Sequence, residues 1–386
     1  MTWSHMSRLV PLLVLAVTVG AADLAHLQAA FVFVGSGSGV VVSADGLVLT
    51  NHHVYREMDV LTVRTATGRT ISATLLGTDP VGDICLLRAS ATDLEYATFA
   101  PTAALVAGTS VIAVGNPFGL GDLDDRPTVT FGVLGTGRVA RGTYSDAVVS
   151  DAAVNPGNSG GPLYLEDGQL AGINGAIRAR TGFRINSGIG LAISAPQLAR
   201  FLPVLETARG GLVHRTALPT GMTVIDGTEG PVVKADHDAL RAGDRILSLN
   251  GRPTASALAV AAYARDLPFT RGATMPIRIV RGPLRLDLDL PAGRTPIPGR
   301  AVLGLTVSER GGRLEVSTVA DKGPAEKAGV TVGLVITRVA ATPVTTRIEW
   351  LRAVAGREPG DRLELTLFEA NGPERTVSWQ LPSSEP

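Results

Sequence analysis

From Phe31 onward, apolar residues come in short runs broken by turn residues, a pattern that predicts many short strands. Gly39-Val-Val-Val42 and Leu47-Val-Leu-Thr50 flank Ala44-Asp45-Gly46, which predicts a hairpin closed by an Asp-Gly turn. Val60 to Arg64, Ile71 to Leu76, Ile84 to Leu87 and Thr128 to Phe131 predict further strands. A helix is signalled by Ser194 and Gln197 spaced as a capping box, by Pro196 in the first turn and by the apolar face of Leu198, Phe201 and Leu202. Ala208-Arg-Gly-Gly211 then reads as a linker.

Beyond the linker the chain repeats. Leu240 to Gly251, a helix at Ala255 to Leu267 and strands at Pro276 to Val280 and Leu284 to Leu290 form one unit. Gly323 to Gly329, Val335 to Val339, a helix at Thr345 to Ala355 and strands at Leu363 to Phe368 and Arg375 to Gln380 form a second. The second unit has Gly333-Leu334 where the first has Gly243-Asp244, so it is either a binding module or a degenerate one that only packs.

At the other end, Arg8 precedes the apolar run Leu9 to Ala22, which closes on Gly20-Ala21-Ala22. The run is shorter than the ~20 residues of a comfortable membrane span. It fits a secretory signal over residues 1–22 with cleavage near Ala22, an uncleaved anchor being the alternative. Either way the mature domains are expected outside the cytoplasm, in a periplasmic or extracellular setting.

Composition supports a multidomain, β-rich chain. Its 386 residues exceed one ordinary domain, and Gly 45 with Pro 24 supply many turns. Hydrophobic residues make up 45% but aromatics only 4%, so the cores are aliphatic. Lys+Arg 35 balances Asp+Glu 35, which leaves no basic surplus for nucleic acid. The single cysteine, Cys85, excludes an internal disulfide and sits in an apolar run as a small hydrophobe.

The chemistry centres on Asp151-Ala-Ala-Val-Asn-Pro-Gly-Asn-Ser159-Gly-Gly-Pro-Leu163. Glycines around Ser159 allow a tight turn that exposes a hydroxyl and gathers backbone amides, the two requirements of acyl transfer. The bland alternative is a glycine-rich hairpin loop. A general base must come from His52 or His53, because the other histidines lie in the signal region or far downstream. Read as a strand end, the pair would point to opposite faces, so only one could meet the cleft. A zinc site is the rival use, but no third ligand has metal spacing and no His-Glu-x-x-His occurs. Asp83 opens an apolar strand, either as a strand-edge cap or as the carboxylate that orients an imidazole. Asp122, Asp124 and Asp125 lack EF-hand spacing and read as a solvated loop. No metal or cofactor is expected.

Five segments in order, Ser43 to Val54, Thr78 to Leu87, Val114 to Leu120, Asp151 to Leu163 and Gly188 to Ile193, resemble the trypsin-like serine proteases of the HtrA/Deg family. The resemblance implies a mostly β fold: two six-stranded antiparallel β-barrels followed by two small α+β PDZ-like domains. It implies a protease domain over 27–208 and PDZ-like domains over 212–293 and 297–383. It makes His53 the base, Asp83 the orienting acid and Ser159 the nucleophile, with the Gly157 and Ser159 amides as oxyanion hole. It implies a small apolar pocket with Val154 and Ile193 as walls, and a carboxylate-binding loop at Leu303, Gly304 and Leu305. Unfolded proteins are the implied substrates, C-terminal peptides the PDZ ligands, and a homotrimer or larger the assembly. His52 and Cys85 depart from the family pattern without touching a catalytic role, and the stretch from Arg138 to Val149 is short for it. The competing reading is a peptide-binding scaffold or holdase chaperone with the protease fold as platform.

Overall fold

The computed structural model describes residues 21–58, 60–141, 144–177, 188–297, 302–354, 357, 359–369 and 372–382. Residues 1–20 of the expected signal lie outside the described residues, and Ala21 opens helix α1 (Ala21–Ala29). Among the described residues no helix is long and apolar enough to cross a membrane.

Six strands form the first barrel: β1 (Phe31–Val34), β2 (Gly37–Val41), β3 (Leu47–Thr50), β4 (Thr62–Thr65), β5 (Thr70–Asp79) and β6 (Ile84–Ala89). They pair in the order β5-β4-β1-β2-β3-β6, and a β5–β6 ladder closes the circle. The predicted hairpin is β2–β3, with Val40 opposite Leu49 and Val41 opposite Val48. The second barrel is closed in the order β10-β11-β12-β9-β8-β7. Its strands are β7 (Ser110–Gly115), β8 (Thr128–Arg141), β9 (Tyr144–Ser150), β10 (Pro162–Leu165), β11 (Leu170–Ile177) and β12 (Gly190–Ser194).

Three apolar clusters explain why these strands read as continuous apolar runs rather than strict alternations. Val32, Val34, Val48 and Leu87 fill the first barrel, and Val111, Leu134, Val148 and Leu163 fill the second. A third cluster takes Phe31, Phe33, Leu49 and Leu86 from the first barrel and Ile112, Val114, Ala147 and Ile173 from the second, so it lies between them. Alternate residues of one strand point to opposite faces. Strands such as β1 and β6 are therefore buried on both, one face inside the barrel and one against its partner.

Helix α2 (His52–Arg56) follows β3 directly, and α3 (Ala195–Thr207) follows β12. Ser194 caps α3 by accepting from Gln197 N–H at 3.3 Å, but the Gln197 side chain does not return the bond. It donates instead to Ser145 Oγ and Asp266, so only half of the predicted box forms. The predicted linker at 208–211 is a turn that feeds strand β13 (Gly211–Leu212), added parallel to β5 at Gly77 and Thr78.

Two α+β units follow with one strand order. The first runs Val224–Gly227, Gly230–Val233, Arg245–Leu249, Thr274–Arg281, Leu284–Pro291. The second runs Leu305–Arg310, Arg313–Val319, Val335–Val339, Arg362–Phe368, Arg375–Gln380. Helix α4 (Ala257–Tyr263) belongs to the first unit, and helices α5 (Pro324–Lys327) and α6 (Arg347–Val354) to the second. Each unit has its own apolar core, the first around Ile246, Ile277 and Ile279, the second around Ile336, Leu365 and Trp350.

Candidate active site

The Ser159 loop joins β9 to β10 at the seam of the barrels. Gly157 (φ 102) and Gly160 (φ 84) both take the left-handed backbone that glycine tolerates. A Cβ at Gly157 would overlap the Asn116 carbonyl, and one at Gly160 would overlap Ser38 O and Thr50 Oγ1. Both glycines are thus demanded twice, by dihedral and by space. The Pro156 carbonyl accepts from Phe118 N–H at 2.8 Å, and the Asn158 carbonyl accepts from Gly161 N–H at 3.0 Å. Across a trans peptide the N–H points opposite to the C=O. The amides of Gly157 and Ser159 are therefore turned away from those partners, while Asn158 N–H is committed to Asn155 O at 3.0 Å. Ser159 Oγ donates to the Gly175 carbonyl at 3.3 Å.

The first barrel is stitched to this loop by Ser38, in the Gly35-Ser-Gly-Ser-Gly39 stretch, which carried no signal of a role in the site. Ser38 N–H donates to Ser159 O at 2.9 Å, and Ser38 Oγ donates to Gly157 O at 2.7 Å. A Cβ on Gly37 would touch both Val54, the neighbour of His53, and the Ser159 carbonyl. Gly37, the first residue of β2, lets the two halves of the site approach.

His52 and His53 are not on a strand end. They open α2, so their directions differ by about 100° rather than 180°. His53 Nδ1 lies 2.9 Å from both carboxylate oxygens of Asp83, and His53 N–H donates to Asp83 Oδ1 at 3.0 Å. Facing only acceptors, Nδ1 carries the proton, which leaves the Nε2 lone pair for another task. His52 Nδ1 instead meets Thr78 Oγ1 at 2.8 Å, and that hydroxyl donates to Ile84 O. Burial pushes the His52 imidazole down to about 4, outweighing the pull of Asp83, so it is neutral near pH 7.

Asp83 adopts φ 61, a costly conformation for a residue with a side chain. Three groups hold it. Asn51 Nδ2 donates to the Asp83 carbonyl at 2.9 Å, forgoing the side-chain cap of α2. His53 N–H takes Oδ1, and Tyr144 Oη donates to Oδ2 at 3.2 Å. Burial, with the Asp83 charge beside it, pushes the Tyr144 phenol well above its usual value, so it stays a donor. Tyr144 had no sequence signal, because its partner lies 61 residues away. Cys85 is fully buried, and burial raises its thiol.

The two expected pocket walls face different spaces. Val154 belongs with Ala192 to the second barrel's interior cluster, and a Cβ at Gly190 would lie 3.4 Å from Val154. Ile193, next along β12, points the other way into the cluster between the barrels with Leu198 and Phe201.

In the second unit, Gly304 (φ 78) and Leu305 are buried, and Leu305 opens the edge strand Leu305–Arg310. Gly304 O accepts from Ala320 N–H at 2.9 Å. Glu309 Oε2 accepts from Arg347 N–H at 3.2 Å, tying that edge to α6, whose Ile348 and Leu351 are exposed. The first unit repeats the device: Asp226 Oδ1 on the edge strand accepts from Ala257 N–H of α4 at 2.6 Å. An open edge beside an apolar helix is a geometry for β-augmentation by an extended peptide.

Comparison with known proteins agrees with this architecture. A trypsin-like peptidase domain model matches residues 37–173, a PDZ domain model matches 301–380, and a peptidase S46 model matches 12–60. The PDZ match falls on the second unit, the one with Gly333-Leu334 in place of Gly243-Asp244. A probable periplasmic serine endoprotease DegP-like of Pseudomonas fluorescens is 32% identical over 356 residues, spanning 84% of this chain and 69% of that one. Periplasmic serine endoprotease DegP of Escherichia coli K12 is 34% identical over 278 residues, covering 67% of this chain and 57% of its own. The solved structure of HtrA-type protease AlgW with tripeptide superposes with TM-score 0.55 at 30% identity, covering 71% of this chain and 98% of that chain. Identity at that level over most of both chains, on a double barrel followed by a PDZ domain, means that this chain belongs to the HtrA/Deg family of serine endoproteases.

Proposed function

We propose that the chain hydrolyses peptide bonds of unfolded proteins through an acyl-enzyme at Ser159. In this reading His53 Nε2 takes the hydroxyl proton as Ser159 Oγ bonds to the peptide carbonyl carbon, and then returns it to the leaving amine. Water, deprotonated by the same nitrogen, releases the acyl group and restores Ser159. Asp83 holds the imidazole in the right tautomer and balances its transient charge. The Gly157 and Ser159 amides stabilise the oxyanion, each of them serving as one preformed donor. The observation that carries the reading is the grip of Asp83 on both Nδ1 and the backbone N–H of His53, at the seam that also holds Ser159.

The proposed division is a protease domain over 27–208 and PDZ-like domains over 212–293 and 297–383. The pocket for the residue before the cut is small and apolar, walled by Val154 beside Gly190, which favours Val, Ala or Ile there. The edge strands of the two units are the sites for C-terminal peptides, the second through Leu303, Gly304 and Leu305. A periplasmic location and a homotrimer or larger assembly follow the relatives' names and the family resemblance. A fluorophosphonate probe tests the chemistry: it should label the protein once, at Ser159, and should not label Ser159→Ala. Labelling at another serine would overturn the assignment.

A further inference from the structure

Arg215 lies between β13 and the short strand Thr216–Ala217, and its side chain is fully buried. Its guanidinium carbon sits 4.3 Å from the centroid of the Phe201 ring. Nε donates to Asp79 Oδ2 at 2.6 Å, again with both side chains fully buried. The other carboxylate oxygen, Asp79 Oδ1, accepts from Val81 N–H at 3.1 Å and Gly82 N–H at 3.0 Å. The guanidinium also lies flat against Gly82, where a Cβ would land on Nη2. Gly82 immediately precedes Asp83, the residue held at φ 61. Arg215 thus shapes, from one side by charge and from the other by contact, the backbone on which Asp83 stands.

The same guanidinium is anchored in the first unit and near Tyr144. Nη1 donates to the Arg265 carbonyl at 3.0 Å and to Ser145 Oγ at 2.9 Å. The next residue repeats the anchorage: Thr216 N–H donates to Leu267 O at 2.9 Å and Thr216 Oγ1 to Ala264 O at 2.6 Å. Ser145 adjoins Tyr144, whose hydroxyl holds the Asp83 carboxylate. The segment 264–267 therefore reaches Asp83 by two routes, through the backbone at 79–82 and through Tyr144.

We infer that Arg215 is a positioning residue for hydrolysis, fixing the 79–83 turn so that Asp83 stays on His53. The inference rests on the proposed roles of Asp83 and His53. Stability alone does not account for the pair. A buried ion pair replaced as a whole by neutral groups is often neutral for folding, whereas removal of one partner is costly.

The test uses the full chain and a peptide substrate with Val before the cut. The double variant Arg215→Met with Asp79→Asn should keep its melting temperature within a few degrees and its KM within about twofold, while kcat falls about 10²-fold, the scale of a small misplacement in a catalytic group. A folded double variant with wild-type kcat would overturn the inference. Should that variant not fold, Arg215→Lys decides, since it keeps the charge but loses the planar fork that covers Gly82. A lower kcat at unchanged KM supports the role, and an unchanged kcat removes it. Arg215→Lys placed in an Asp83→Asn background should cost nothing further, because both act through the same imidazole. Asp83→Asn by itself keeps the two readings apart. Full activity there would sink the triad, whereas a dead Asp83→Asn beside a fully active double variant would sink only the role of Arg215.

Discussion

The two PDZ-like units share a strand order but meet the rest of the chain through different chemistry. The first is joined to the protease barrels by buried charge. Asp146 and Asp266 are almost fully buried among Arg138, Arg200 and Arg252, and Arg200 Nη2 bridges the two carboxylates at 2.8 and 2.9 Å. Arg252 Nη1, from the first unit, donates to the Ser145 carbonyl at 2.7 Å. Burial pushes the Asp266 carboxyl up. Burial acts on Asp146 the same way, but hydrogen bonds from Arg138 and Arg200 outweigh it and leave that carboxyl lowered. The second unit is held instead by a neutral amide against β13 and by a partly exposed ion pair. The Gln380 amide pairs with Leu212, accepting its N–H at 2.7 Å and donating to its carbonyl at 3.1 Å, and Arg294 donates to Asp361 at 2.8 Å. Buried ion networks tolerate little displacement, because an uncompensated charge is expensive. A neutral amide bridge can exchange with water at small cost. The first unit is therefore part of the catalytic body, and the second is a module docked on it.

The largest effect that would sharpen this contrast comes from Arg215→Met alone. It strands Asp79 in the interior and should destabilise the body by about 3–5 kcal/mol, read as denaturant midpoint. A loss under about 1 kcal/mol would mean that the ionic seam is not structural.

Acid should separate the regions next. The His52 imidazole is lowered from 6.5 to about 4, so between those values the unfolded chain binds a proton that the folded one refuses. Stability from this group is whole above about pH 6.5, falls with pH, and stops falling below about 4. The loss is up to about 3 kcal/mol. The second unit has no histidine between residues 302 and 382 and should not share that loss. His52→Asn should flatten the acid slope of the protease transition in calorimetry, and an unchanged slope would discard this cause.

Gln380→Ala should cost about 1 kcal/mol and raise proteolytic nicking between the units, with casein turnover preserved. A fall in turnover as steep as that of the Arg215 variants would erase the distinction between body and module. Asp226→Ala and Glu309→Ala each remove one acceptor from a helix start and should cost about 1 kcal/mol or less. Each should weaken peptide binding only in its own unit, as measured by titration with a fluorescent C-terminal peptide.

Much of the architecture was legible in the sequence because it is written in local patterns. The β2–β3 hairpin followed from an Asp-Gly turn between apolar runs, and the Ser159 loop from glycines whose dihedrals the structure requires. The histidine pair was placed on a strand end because two apolar strands surround it, but Asn51 turns the chain into α2 instead. The ionic seam was not legible at all. Arg215 sits in Leu212-Val-His-Arg-Thr-Ala-Leu218, which carries no motif, and its partner Asp79 is 136 positions away. Such a pair exists only once both barrels have closed.

The central claim is that Ser159, His53 and Asp83 form one working unit, and digestion of unfolded β-casein by the full chain tests it most directly. Wild type and His52→Ala should cut, while Ser159→Ala and His53→Ala should be inactive, a loss on the order of 10⁶ in kcat as for other serine proteases stripped of nucleophile or base. Cutting that survives Ser159→Ala or His53→Ala, or that is lost only in His52→Ala, would contradict the account.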